Sequence, residues 1–189
     1  MLLILVWFGI LNHLLLFLKG EESKGPEAIV QALFTNTSLI TLDLSGNNNQ
    51  IDRLLDAALK KQAILQDLTL NDSCLGDVGA QDFLAAVTDN HDNHALTKVD
   101  MGGNRMGVLG ITAILPFLPQ LTYLSLWNNW FGDAGPKLLA DNLKENTSLV
   151  SFSCGFCALT CVSKQALVDC LHVNTTLIIM WWDGGFERN

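Results

Sequence analysis

The sequence predicts an α/β fold: a curved solenoid of short units, with a parallel β-sheet along one side and helices along the other. Three observations predict it. A phrase keeps returning, since LITLDLSGN from Leu39, LTYLSLWNN from Leu121 and LVSFSCGFC from Leu149 share the spacing L-x-x-L-x-L-x-x-N/C. Counted from its first Leu as position zero, the phrase starts at Leu39, Leu65, Leu96, Leu121, Leu149 and Leu177, at intervals of 26, 31, 25, 28 and 28 residues. Self-similarity at such a period marks stacked repeats, each of which buries its apolar face only against its neighbours. Between the phrases a second half-unit recurs, as GPEAIVQALFTNTSL from Gly25, GAQDFLAAV from Gly79 and GPKLLADNLKENTSL from Gly135.

Each element follows from these patterns in chain order. The opening run MLLILVWFGILNHLLLFL is long and apolar enough to suggest a targeting or membrane segment, yet no Lys or Arg precedes it, and Asn12 and His13 interrupt it. Counting back 28 residues from Leu39 lands on Leu11. That places Leu11, Leu14 and Leu16 in the apolar slots of one more strand, with residues 1–18 supplying the end of a helix and that strand. Both readings stand. Leu15, Phe17 and Leu18 would then face outward and are more apolar than a solvated face should be.

From Gly25 a helix is expected, with Ile29, Ala32 and Leu33 on its apolar face; Leu138, Leu139 and Leu143 repeat that spacing after Gly135. In each phrase positions zero, three and five point into the core while the intervening residues alternate outward. Asn47, Asn104 and Asn129 at position eight are expected to bond backbone groups of the turn that would otherwise be buried unsatisfied. TDNHDNHAL falls in the longest interval and reads as a polar loop, although Asp89, His91, Asp92 and His94 together offer imidazole and carboxylate to a loosely held metal. The last phrase runs into DGGFERN with no helix behind it. An open apolar end is expected there, implying a fragment of a longer protein, a truncated product or an end that pairs with another chain.

These residues resemble the leucine-rich-repeat family, and in particular its long, helix-containing subclass, typified by ribonuclease inhibitor, the Ran GTPase-activating proteins and the sensor ends of NOD-like receptors. The resemblance spans nearly the whole chain. It implies a sheet on the concave side, helices on the convex side, and a single repeat array over residues 1–189 with phrases near 11, 39, 65, 96, 121, 149 and 177. It also implies that positions two, four and six of each phrase face the concave surface. Those residues are Thr41, Asp43 and Ser45; Asp67, Thr69 and Asn71; Lys98, Asp100 and Gly102; Tyr123, Ser125 and Trp127; Ser151, Ser153 and Gly155; Ile179, Trp181 and Asp183.

Composition narrows the function. A net charge of −8 argues against nucleic acid, whose phosphates favour Lys and Arg, and suits a basic protein partner better. Five cysteines, an odd number without paired spacing, suit a reducing compartment and a cytoplasmic location; the apolar start leaves membrane association or secretion as the alternative. CGFCALTC has the look of a metal-ligand set, but Cys154 occupies the core slot of Leu126 one repeat earlier and Cys157 the Asn slot, so no metal is needed. N-glycosylation sequons stand at Asn36, Asn71, Asn146 and Asn174; all but Asn71 are the closing N-T-S/T-L of a repeat, so the fold accounts for them. No nucleophile elbow, phosphate loop or H-E-x-x-H occurs, and no cofactor is expected.

The expected function is therefore a non-enzymatic protein-interaction module acting through its concave face. An acidic stripe of Asp43, Asp67 and Asp100, with Asp72 beside them, would give way to Tyr123, Trp127 and Trp181, and aromatic anchors flanked by charge make binding hot spots. The alternative implied by the resemblance is a GTPase-activating or other enzyme-regulating factor, in which Arg105 after Asn104, or Arg53, would stabilise charge at a partner's nucleotide site.

Overall fold

The computed structural model describes residues 2–7, 13–19, 31, 33, 35–47, 55, 59, 64–89, 95–157, 159–182 and 185–188. Among the described residues nine strands form one sheet in sequence order: β1 (Leu2–Trp7), β2 (His13–Lys19), β3 (Thr41–Asp43), β4 (Asp67–Thr69), β5 (Lys98–Asp100), β6 (Tyr123–Ser125), β7 (Ser151–Ser153), β8 (Ile179–Trp182) and β9 (Gly185–Arg188). The seven strands β2 to β8 are parallel. Among the described residues four α-helices have defined bounds between strands: α1 (Gly76–Asp89), α2 (Val108–Ile114), α3 (Ala134–Leu143) and α4 (Cys161–Leu171). Leu33, Leu55 and Leu59 are helical and buried in the segments leading to β3 and β4.

The registers follow from the period-two alternation of each phrase. Position three forms one column across the sheet, Leu42, Leu68, Val99, Leu124, Phe152 and Met180, and every member is at most 1% exposed. Position five forms a second buried column of Leu44, Leu70, Met101, Leu126 and Cys154. Burying each such side chain contributes about 1.5–3 kcal/mol, and a one-residue slip would turn both columns to the other face. Neighbouring strands lie about 4.8 Å apart whereas packed helices need about 8–10 Å, so the stack bends with its strands inside. Pro116 and Pro119 lack the N–H that α-helical bonding needs, and α2 accordingly passes into a 3-10 segment, Leu115–Gln120. There Phe117 meets Phe83 of α1 edge to face at 5.5 Å, tying two repeats together.

Four consecutive repeats are also stitched, each to the one before it, at position eight. Asn104 Nδ2 donates to the Leu70 carbonyl (2.7 Å), Asn129 Nδ2 to Met101 (3.0 Å), Ser73 Oγ to Leu44 (3.2 Å) and Cys157 Sγ to Leu126 (3.2 Å). The asparagines accept as well: Asn129 Oδ1 takes the N–H groups of Asn104 and Met106, and Asn104 Oδ1 those of Ser73 and Leu75. A second ladder runs through the closing turns, where buried Asn146 Nδ2 donates to Leu118 and buried Asn174 Nδ2 to Asn146. These are sequon asparagines whose amides the fold itself uses. Position twelve adds a carboxylate that reaches the next unit: Asp77 Oδ1 accepts from Gly107 and Gly110 (2.7 Å each), and Asp133 from Thr160.

Two expectations for the ends are corrected. Leu2–Trp7 is a strand where a helix end was expected: β1 pairs antiparallel with β2, Leu2 opposite Lys19, while β2 joins the parallel array with His13 opposite Thr41, the 28-residue offset read from the sequence. Nor is β8 the edge of the sheet. β9 pairs antiparallel with it, Met180 opposite Glu187, and takes up backbone groups an edge would leave open. Among the described residues no helix is long and apolar enough to cross a membrane.

Candidate functional site

Three rows of side chains cross the open face of the sheet. Position two runs Thr41, Asp67, Lys98, Tyr123, Ser151 and Ile179; position four runs Asp43, Thr69, Asp100, Ser125, Ser153 and Trp181. Position six, just beyond the strands, carries Ser45, Asn71, Gly102, Trp127 and Gly155. The acidic stripe expected from the sequence is not formed. Asp67 stands in a different row from Asp43 and Asp100 and pairs with Lys98 at 3.2 Å, while Thr69 separates the other two. Asp43 Oδ1 accepts the Ser45 N–H (2.9 Å) within its own turn.

Asp100 and Asp72 do converge. Asp100 accepts from Asn71 Nδ2 and from the Gly102 N–H, 3.1 Å each, and with Asp72, Ser125, Ser153 and Trp127 these residues line a cavity of about 210 Å³ at the loop end of β4 to β7. Asn71 closes the cluster by accepting the Gly102 N–H through Oδ1 (2.8 Å). A Cβ at Gly102 would crowd the cluster, standing 3.1 Å from Asn71 Oδ1 and 3.3 Å from the Trp127 carbonyl. Tyr123 lies in the adjacent row, half-buried; burial first and the Asp100 carboxylate second raise its phenol pKa above 10.0, against a smaller lowering by its hydrogen bond with Ser125.

The aromatic part is larger than the sequence suggested. Trp127 is 43% exposed and meets Phe156 edge to face at 5.4 Å, and Phe156 is itself 66% exposed. Position seven is left-handed in the five phrases from Leu39 to Leu149, with Gly46, Asp72, Gly103 and Asn128 ahead of Phe156 at φ 55°. Gly, Asn and Asp adopt that conformation readily; for a bulky residue it is a strained outlier. That contrast was available in the sequence, but only to a reader who knew that position seven is left-handed. Trp130 is exposed as well, and the Arg105 guanidinium lies over its ring at 5.9 Å. Trp181 is exposed too, but sits across β7 from the Trp127 strand, beyond Ser153.

Other candidates resolve differently. Cys154 and Cys157 are fully buried, Cys157 as a thiol donor in the position-eight ladder, while Cys161 is exposed on α4. Burial raises the thiol pKa of Cys170. Arg53, His91, Asp92, His94 and Asp183 lie outside the described residues. Among the described residues no group of three or more His, Cys, Asp or Glu is placed to hold a metal.

Comparison with known proteins agrees with this geometry. A leucine-rich-repeat family model matches residues 35–48 and 92–115. The chain is similar in structure to the actin-binding site 2 of leiomodin-1, with a TM-score of 0.63 and 18% identity over 81% of this chain and 91% of that one. It is also similar to the tropomodulin C-terminal domain of Caenorhabditis elegans, with a TM-score of 0.61 and 15% identity over 80% of this chain and 93% of that one. Fold and position-eight ladder together are those of a leucine-rich-repeat solenoid. At these identities the two structures speak for the fold alone.

Proposed function

We propose that this chain is a non-enzymatic protein-interaction module whose concave face, with the loops that follow each strand, binds a protein partner. The observation that carries it is Phe156. A large aromatic held exposed in a strained backbone conformation contributes little to folding, and it stands against a second exposed aromatic, Trp127. Tyr123 and Trp181 extend the same surface, and Asp72 and Asp100 give it a negative sign that favours a basic partner and disfavours nucleic acid. Support also comes from leiomodin-1, where a stretch of this fold is an actin-binding site. The wild-type chain and a Tyr123→Ala/Trp127→Ala double variant, used as baits in one lysate, test the proposal. Partners held by the first should be lost from the second; an unchanged set of partners would move the site off this face.

The enzyme-regulating alternative rests on Arg105. Its left-handed backbone and its seat over Trp130 favour a structural role in the aromatic surface, because a charge-stabilising arginine must be free to leave its own chain for the partner's nucleotide. If a captured partner is a GTPase, Arg105→Ala should leave its hydrolysis rate unaltered.

A further inference from the structure

We propose that the cavity between Asp72, Asp100 and Trp127 receives a single arginine side chain of the partner protein, so that this face reads a guanidinium. The proposal rests on the concave-face reading above and gives it a chemistry. Size comes first. At about 210 Å³ the cavity lies below the roughly 300–1,000 Å³ of small-molecule and cofactor sites, and matches one long side chain with a few waters.

Charge decides the kind of side chain. No Lys, Arg or His lines the cavity, and the two nearby cations are engaged elsewhere: Lys98 is drawn to Asp67 in the position-two row, and Arg105 lies over Trp130. Among the described residues the donors to Asp100 are neutral, Asn71 Nδ2 and the Gly102 N–H, and the exposed Asp72 carboxylate has no ion pair. Two carboxylates thus line one small, open cavity with no ion pair to either among the described residues. Their shared negative charge is complementary to a cation from outside.

The Trp127 wall and the separate origins of the two carboxylates select among cations. Ammonium is a strongly hydrated point charge, and a divalent metal prefers oxygen ligands on all sides. A planar guanidinium stacks on an indole while its in-plane N–H groups fork toward acceptors on different strands. Ser125 and Ser153 add hydroxyl acceptors beside the carboxylates. Phe156, held edge-on to Trp127, limits how far the indole can swing.

The test titrates the intact chain with the peptide acetyl-Gly-Arg-Gly-amide and with its citrulline and lysine counterparts, following the Trp127 indole N–H by NMR. Trp127→Phe assigns the signal. The arginine peptide should shift that signal saturably, with citrulline, its uncharged near-isostere, at least about tenfold weaker and lysine weaker than arginine. Asp72→Asn with Asp100→Asn should weaken arginine binding at least about tenfold, while the indole signals of Trp130 and Trp181 stay in place. Asn preserves an acceptor for Gly102, and should the double variant fail to fold, Asp72→Asn alone, at an exposed left-handed position, still decides. Equal binding of citrulline and arginine, no saturable shift, indifference to the Asp→Asn changes, or calcium chloride moving Trp127 where arginine does not would overturn the proposal. If the peptide fails yet the aromatic double variant loses its partners, the pocket falls and the concave-face reading survives; retention of partners by that variant defeats the broader reading.

Discussion

Asn129→Ala is expected to be among the most destabilising single changes in the chain, although no apolar contact is lost. The Asn129 side chain is fully buried and makes bonds no other residue can replace: Nδ2 to the Met101 carbonyl at 3.0 Å, and Oδ1 from the N–H groups of Asn104 at 3.2 Å and Met106 at 2.9 Å. Leu126 O, its further acceptor at 2.9 Å, keeps a weak thiol bond from Cys157 and is discounted. Truncation therefore leaves three backbone groups buried and unsatisfied. At about 1–3 kcal/mol each, even the low end sums to about 3 kcal/mol, a large part of the roughly 5–15 kcal/mol that holds a domain together. For a chain of this size that corresponds to a fall in Tm of about 6–12 °C. Urea unfolding followed by far-ultraviolet circular dichroism measures it, with the slope m expected to stay constant. A loss below about 1 kcal/mol would refute the reasoning, since it would mean that water or backbone relaxation satisfies those groups without Asn129.

Other perturbations test neighbouring parts of the structure. Gly135→Ala should cost about 1–3 kcal/mol in the same assay, because the new Cβ would stand 2.4 Å from Phe131 Cβ and 2.8 Å from Ile111 Cδ1, and overpacking on that scale moves backbone. Phe156→Gly relieves strain of about 1–3 kcal/mol at φ 55°, so it should leave Tm unchanged or raised while partner capture weakens; a clear fall in Tm would make Phe156 a structural residue. Tyr123 is the single tyrosine, so absorbance at alkaline pH reports it alone: its ionisation should fall above pH 10.0, and Asp100→Asn should bring it down. Because its folded pKa is raised, the stability it contributes is full below the unfolded value and is lost as pH rises through the folded one. Asp133 has the opposite sign. Hydrogen bonds from Ser163 and Thr160 hold its pKa below the ordinary 3.8, so its contribution is present above that value and disappears as pH falls through the lowered one; Asp133→Asn should remove that acid dependence from the urea midpoint.

The fold was legible because a repeat states each rule several times. Leu39, Leu65, Leu96, Leu121, Leu149 and Leu177 set the register of every strand between them, and the structure pairs Leu42, Leu68, Val99, Leu124, Phe152 and Met180 as that spacing requires. Asn104 and Asn129 showed their backbone role by the same recurrence, whereas recurrence marked Asn146 and Asn174 only as part of a turn and the structure gave them their bonds. At the ends recurrence stops. Leu2–Trp7 and Gly185–Arg188 have no counterpart inside the array, and each pairs antiparallel with its neighbour where the sequence pointed to a helix end and an open edge.

The candidate site was half legible for a related reason. Spacing alone assigns a residue to a face, and it put Asp43, Asp67, Asp72, Asp100, Tyr123, Trp127 and Trp181 on or beside the open face of the sheet. It does not say which residues of neighbouring strands meet. Asp67 went to Lys98 because the register set them side by side in one row, and Asp72 and Asp100 closed on Trp127 because the glycine at 102 leaves space between strands. Phe156 lay hidden beside the cysteines, for its meaning depends on a backbone angle and on a ring one strand away. Periodicity determined by itself which side chains are buried, since burial depends on repetition along one chain. The three-dimensional stack alone decided which exposed groups neutralise, stack on or leave unpaired one another, because those energies depend on distances between strands that are about thirty residues apart in sequence.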